Sequence, residues 1–162
     1  MSGYELKRVV DESVGHFWSA DQSQVYRALA SLVDDGLTSR RTVVQEDRPN
    51  MHIHAVTEEG HAELDRWLAA PLEQQPVREP FLARLFFAGR LPTSEIRELL
   101  ARRRRAVEDS LAALTAIEVP EATADVGEQL RLATLEYGIA QARSELAWLD
   151  ATSRRLDDGT EA

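Results

Sequence analysis

The chain has 162 residues, no cysteine, and a net charge of −9 from 19 Lys/Arg against 28 Asp/Glu. That length fits one domain or two small ones, and the absence of cysteine excludes disulfides, thiolate nucleophiles, zinc ribbons and iron–sulfur clusters. Residues 1–60 carry six Lys/Arg against ten Asp/Glu, so any nucleic-acid contact must rest on a few locally placed arginines and not on a global field.

Glycine and proline are sparse while Ala, Leu, Glu and Arg are abundant, which favours helix. Apolar runs such as Leu85-Phe86-Phe87-Ala88 are too short to span a bilayer, and no basic-then-apolar leader opens the chain. A cytoplasmic protein without membrane contact is the expectation.

Residues 3–14 read as a short helix, with Leu6, Val9 and Val10 on one face and Gly15 as its stop. After His16-Phe17-Trp18, Ser19 stands three residues before Gln22, a capping-box spacing that predicts the start of a second helix. Val25, Leu29 and Leu32 form its apolar stripe, Tyr26 and Val33 flank it, and Gly36 is placed for a left-handed exit. Residues 37–44 and 51–56 are strand-like, the second alternating with Met51, Ile53 and Ala55 on one face. The polar segment 45–50 joins them as a hairpin. Thr57 then caps a helix with Glu58 and Glu59 in its first turn and Leu64, Trp67 and Leu68 on its apolar side.

Pro71, Pro76 and Pro80 mark residues 71–80 as the linker between a domain at 1–70 and a second at 81–162. The second domain reads as a helix at 81–88, a long helix capped by Thr93 or Ser94 and reaching about Ile117, and a last helix from about 125 to 156. Leu132, Leu135, Ile139, Ala142, Leu146, Leu149, Ser153 and Leu156 step by 3,4,3,4,3,4,3 along that last helix. Ile96, Leu100, Arg103, Val107, Ser110, Leu114 and Ile117 follow the same spacing more loosely. Two such seams predict an antiparallel helical hairpin. Leu99, Leu111, Leu130 and Trp148 lie off the seams and are expected to pack on a second copy of the chain. Leu132, Leu135, Ile139, Leu146, Trp148, Leu149 and Leu156 are the candidate dimerisation residues.

Helix, break, helix, two-stranded hairpin, helix is the order of a winged helix. The fold class is thus mainly α: a winged helix-turn-helix domain followed by an antiparallel long-helix dimerisation domain. In that architecture the second helix enters the major groove and the hairpin lies along the backbone beside it. Gln22, Ser23, Gln24, Tyr26, Arg27 and Ser31 are the candidate contacts from the helix, since Gln pairs bidentately with adenine and Arg with guanine. Arg40, Arg41 and Arg48 of the hairpin are candidates for phosphate. The competing view of any one of these is an ordinary solvent-facing residue, and Tyr26 has a rival role in packing the helix onto the wing.

Gly3-Tyr4-Glu5-Leu6, Phe17-Trp18, Gln24-Val25-Tyr26-Arg27-Ala28-Leu29, Gly36-Leu37 and Thr57-Glu58-Glu59-Gly60, in this order and spacing, resemble the PadR family of bacterial transcriptional regulators. Residues 77–87 and Trp148-Leu149 resemble the branch with a long helical C-terminal domain. The resemblance implies a homodimer that binds a palindromic operator in double-stranded DNA, usually as a repressor. It carries Gln24, Tyr26 and Arg27 over to the recognition helix. It also implies a small aromatic effector, for which Phe17, Trp18, Trp67, Phe86, Phe87 and Trp148 are candidates, although core packing accounts for most of them. Two departures stand out. Family members usually carry one more helix ahead of Gly-Tyr-Glu, so the domain is expected without its first family helix. The return strand holds Met51, His52 and His54 where the family often has basic residues and a tyrosine.

Other signals are weaker. His52 and His54 share a strand face and could recruit His61 or Glu58 to a metal, but a polar outer wing face explains them better. Arg102 to Arg105 sweep round a helix and suit a solvated face with ion pairs to Glu136 or Glu145. Ser13-x-Gly15 lacks the first glycine of a nucleophile elbow, and no glycine-rich phosphate loop exists. Neither an enzyme nor a cofactor is expected. The alternative function is a helical dimerisation or adaptor protein whose incomplete winged helix does not bind DNA.

Overall fold

The computed structural model describes residues 1–44, 50–72, 76–119 and 125–158. The chain divides into two units, Met1–Gln75 and Pro76–Ala162.

The first unit runs α1 (Gly3–Ser13), α2 (Gln22–Asp34), β1 (Thr38–Val43), β2 (Met51–Val56) and α3 (Glu58–Ala69). The two strands pair antiparallel from Thr38↔Val56 to Val43↔Met51. Val25 and Leu29, four apart on α2, are its buried apolar centre.

One of the joints that hold the wing to the helices lies at the exit of α2. Gly36 sits at φ 73, in the left-handed region where a Cβ is penalised, and turns the chain out of α2. The Thr57 hydroxyl donates to the Gly36 carbonyl at 2.8 Å and accepts the Gly60 amide at 3.0 Å, capping α3. The Thr57 amide donates to the Leu37 carbonyl at 3.1 Å. A Cβ at Gly60 would lie 2.1 Å from that same Leu37 oxygen, so the first turn of α3 can come this close only with glycine. The Gly36-Leu37 and Thr57-to-Gly60 motifs are therefore two halves of one contact.

The expected apolar side of α3 is not covered: Leu64, Trp67 and Leu68 are 48%, 68% and 65% exposed. A groove of about 450 Å³ also lies open between α1 and α2, lined in part by Leu6, Val10, Val14, Trp18, Val25 and Leu29.

The second unit runs α4 (Pro80–Phe87), a 3-10 turn at Ala88–Arg90, α5 (Thr93–Thr115) and α6 (Val126–Asp158). Pro80 opens α4 at its first helical position, where no amide is needed, and the Glu79 carboxylate accepts the Phe81 amide. The cap expected of Thr93 or Ser94 is not formed. Pro92 holds the N-cap position of α5, and no side-chain hydrogen bond closes it.

The α5–α6 hairpin matches its predicted seams. Leu100, Val107 and Leu114 are buried seven apart on α5, and Leu149, Ala142 and Leu135 are buried seven apart in the opposite direction on α6. Ion pairs keep the same step: Arg97 reaches Asp157 at 2.9 Å and Arg104 pairs with Asp150, one heptad along both helices. Arg103 makes two hydrogen bonds to Glu145, at 2.6 and 3.0 Å, and its guanidinium lies 5.3 Å over the Phe81 ring. Arg102 and Arg105 instead turn to Glu98 on their own helix. Of the two acids expected to answer the arginine run, Glu145 does so.

The α6 seam is thus used inside the chain. Leu135 and Leu149 are buried, Leu146 and Leu156 pack on the hairpin core, and Leu132 and Ile139 are half-buried. Two residues expected to pack on a second copy make contacts within the chain, although Trp148 stays 37% exposed. Trp148 meets Phe81 edge-on at 6.3 Å, and Leu111 packs on the core. Leu99 is half-buried, and Leu130 stays 64% exposed. Among the described residues, no helix is long and apolar enough to cross a membrane.

Candidate nucleic-acid interface

The α2 helix starts two residues later than Ser19 predicts. Asp21 is the cap: its Oδ1 accepts the Gln24 amide at 2.8 Å and the Ser23 hydroxyl at 2.7 Å. Gln24 Oε1 in turn accepts the Asp21 amide at 2.8 Å. Both Ser19 and Asp21 stand three before a glutamine, so spacing alone does not choose between them. A carboxylate at the positive end of the helix dipole is the better cap.

That cap changes what the front of the helix offers. Bidentate pairing with adenine needs both the oxygen and the nitrogen of a glutamine amide. Gln24 has committed its oxygen to the cap, and its side chain borders the α1–α2 groove. Ser23 has committed its hydroxyl to the same carboxylate. Gln22 and Arg27 are exposed, and among the described residues Arg27 forms no ion pair. Ser31 is exposed and donates to Asp35 at 3.3 Å.

Ser23, Arg27 and Ser31 repeat every four residues. Each stands two residues from the buried Val25 and Leu29 stripe, about 200° around the helix. They form the outward ridge of α2. Tyr26 lies beside it, 46% exposed, with its ring against Gly3: a Cβ there would come within 2.6 Å of Tyr26 Cε1. Tyr26 thus has a structural role, but it braces α2 against the start of α1, where packing onto the wing was expected. The spacing of the motifs passes over Gly3 as the seat of this ring.

On the wing, Arg40 pairs in register with His54 and Arg41 with Ile53. Neighbours on a strand point to opposite faces. Arg40 and Arg41 are both exposed but do not make one basic patch. Arg48 lies outside the described residues. His54 shares its face with Arg40 and His52. Its partial burial, then the charge of Arg40, lower its pKa. His54 Nδ1 is buried without a hydrogen-bond partner among the described residues.

Residues 1–66 match the family model described as the transcriptional regulator PadR-like family, and residues 77–157 match virulence activator alpha C-term. The chain belongs to the PadR-like family of transcriptional regulators. A probable transcriptional regulator of Mycobacterium tuberculosis is 44% identical over 71 residues, which is 44% of this chain and 38% of that protein. The negative transcriptional regulator PadR of Bacillus subtilis is 28% identical over 97% of this chain and 90% of its own. The fold is that of the same protein in complex with operator DNA, at TM-score 0.78 and 24% identity over 96% of this chain and 91% of the other. A further structure, of that PadR with p-coumaric acid, matches at TM-score 0.70 and 24% identity, covering 97% and 90%.

The aromatic residues expected to line a PadR-type effector site are shared between the two units. Trp18 borders the α1–α2 groove, and Phe87 borders an open cleft of about 670 Å³ beside Arg84, Arg90 and Leu99. Trp148 is engaged with Phe81, and Phe86 with Phe87.

The Asp21 cap carries a pH signature. The Ser23 hydroxyl first, then the Gln24 amide, hold the Asp21 carboxyl below its ordinary value. A carboxyl depressed in the folded state stabilises that state above its unfolded pKa, and the gain disappears as pH falls through the folded value. Asp21→Asn should therefore separate from the unmodified chain in thermal stability at pH 7 and converge on it as pH falls through the folded-state value of Asp21. A gap that widened on acidification would contradict this.

Proposed function

We propose that this PadR-like chain is a sequence-specific DNA-binding repressor. It acts as a homodimer, each copy laying α2 in a major groove of a palindromic operator. The observation that carries the reading is the outward ridge of α2, where Arg27, with no ion pair among the described residues, stands between two serines, 200° from the buried stripe. Arg27 reads a base edge, and Arg40, Arg41 and Arg48 hold phosphates. Support comes from the likeness to PadR of B. subtilis, named a negative regulator and solved with operator DNA. The complex of that protein with p-coumaric acid supports a small aromatic effector. The reading assigns the chain no catalytic activity and a cytoplasmic place.

The test is binding to a fragment of the DNA upstream of its own gene, against a scrambled fragment, over a salt series. Preference for the upstream fragment should appear, with log affinity falling linearly against log salt. Arg41→Ala should weaken binding to both fragments alike and reduce the salt slope by about one unit. Equal affinity for both fragments, or none for either, would overturn the reading.

A further inference from the structure

One face of the wing carries basic groups and no acid. Thr38, Arg40 and Thr42 of β1 share it with His52, His54 and Val56 of β2, since residues two apart on a strand point the same way. No carboxylate stands among the six, in a chain whose net charge is −9. Among the described residues, the surroundings add no acid that pairs with them. The Met1 amino group donates to the His54 carbonyl at 2.9 Å. On α1, which packs on β2, Glu5 is turned to Ser2, whose amide and hydroxyl donate to it at 2.7 and 3.0 Å. Asp34 and Asp35 at the exit of α2, and Glu58 and Glu59 at the start of α3, form no ion pair among the described residues.

We propose that His52 is a DNA-phosphate contact of the wing that takes one proton from solvent on binding, so that affinity for DNA rises as pH falls. This rests on the DNA-binding reading, in which the wing lies along the backbone beside α2. In the free chain the imidazole shares its face with the cation Arg40 and has no anion to charge against. A phosphate supplies that anion. Imidazole is the side chain whose ordinary titration falls between about pH 5 and 8, so a nearby phosphate decides its charge.

Hydrogen bonding selects His52 over His54. Thr42, directly across the ladder, places its hydroxyl 3.2 Å from His52 Nδ1. A hydroxyl both donates and accepts, so it serves Nδ1 in either state of the ring: it donates to a bare Nδ1 and accepts from an Nδ1–H. Nε2 then carries a hydrogen in both states and is left for a phosphate oxygen. His52 is exposed, whereas His54 is half-buried. His54 Nδ1 is buried with no partner among the described residues, so a proton there would be a donor with nothing to meet. Burial, then Arg40, lower the His54 pKa in the same sense. Charge is penalised at His54 and accommodated at His52.

The experiment is fluorescence anisotropy of the full chain with the upstream and scrambled fragments, over a salt series at pH 6 and at pH 8. The unmodified chain should bind the upstream fragment roughly tenfold more tightly at pH 6, the sign required when binding takes up a proton. Its salt slope should also be steeper at pH 6 by about 0.9, the value of one more neutralised phosphate. His52→Gln should lose both effects. His52→Lys, charged at either pH, should bind at pH 8 as the unmodified chain does at pH 6, with the steeper slope throughout. His54→Gln should keep the pH dependence. If His52→Gln retained the pH dependence, or the salt slope of the unmodified chain did not change with pH, the proton-taking contact would be overturned. A preference for the upstream fragment would then leave the DNA-binding reading standing. No preference at either pH overturns that reading and the proposal with it.

Discussion

Leu149→Ala should cost about 2–5 kcal/mol, the largest loss expected from any single truncation in this chain. Leu149 is 1% exposed and Leu100, in the same cluster, 2%. Removing the side chain leaves a hole walled by residues of both long helices. Neither wall can move in freely, because Arg103–Glu145 and Arg104–Asp150 fix the register on either side of Leu149 along α6. The ion pairs are partly exposed and add little energy themselves; their effect is to limit relaxation, which places the cost above simple transfer. A domain has about 5–15 kcal/mol in total, so the helical hairpin would lose a large share of its stability. Val126→Ala is the control, since Val126 is 66% exposed at the start of α6 and should change stability by less than about 0.5 kcal/mol. Urea titration followed by helical circular dichroism measures both. Equal losses would mean that the seam through Leu149 is not the buried one.

How far the sequence could be read depended on whether a local pattern had one physical solution. The heptad spacing of Leu135, Ala142 and Leu149 has one solution as a helix seam, and the structure buries these three residues. Gly36 likewise has one use after a polar helix end, and its φ is positive. Thr57 before two acids could only be a cap, and it is. Patterns with two solutions went the other way. Ser19 and Asp21 both had capping partners, and the choice needed three dimensions. A seam states that a helix has a neighbour but not which chain supplies it. Leu135 and Leu149 are buried within the chain, on the α5–α6 hairpin. Arg40 and Arg41 look like a patch in sequence, but the strand alternation of an antiparallel register separates them. The close seat of Tyr26 on Gly3 joins residues 23 positions apart, and no local spacing announces it.

The candidate interface separates into side chains free to read DNA and side chains already bonded within the fold, and that division predicts how two neighbouring substitutions differ. Arg27→Ala should lose roughly 1–3 kcal/mol at its cognate base pair and relax the preference there, because a free guanidinium on the outward ridge can pair bidentately with guanine. Gln24→Ala should behave otherwise. Its amide oxygen closes the Asp21 cap, so its loss should destabilise the start of α2 by up to about 1 kcal/mol. Any loss of DNA affinity should then be spread over all sequences, through a frayed helix end, with no single position relaxed. Binding of both variants to an operator series with each base pair changed in turn distinguishes the two. If Gln24→Ala relaxed one position while Arg27→Ala left affinity and preference intact, the cap geometry would not survive on DNA. The base-reading role would then pass from the ridge to the groove side of α2.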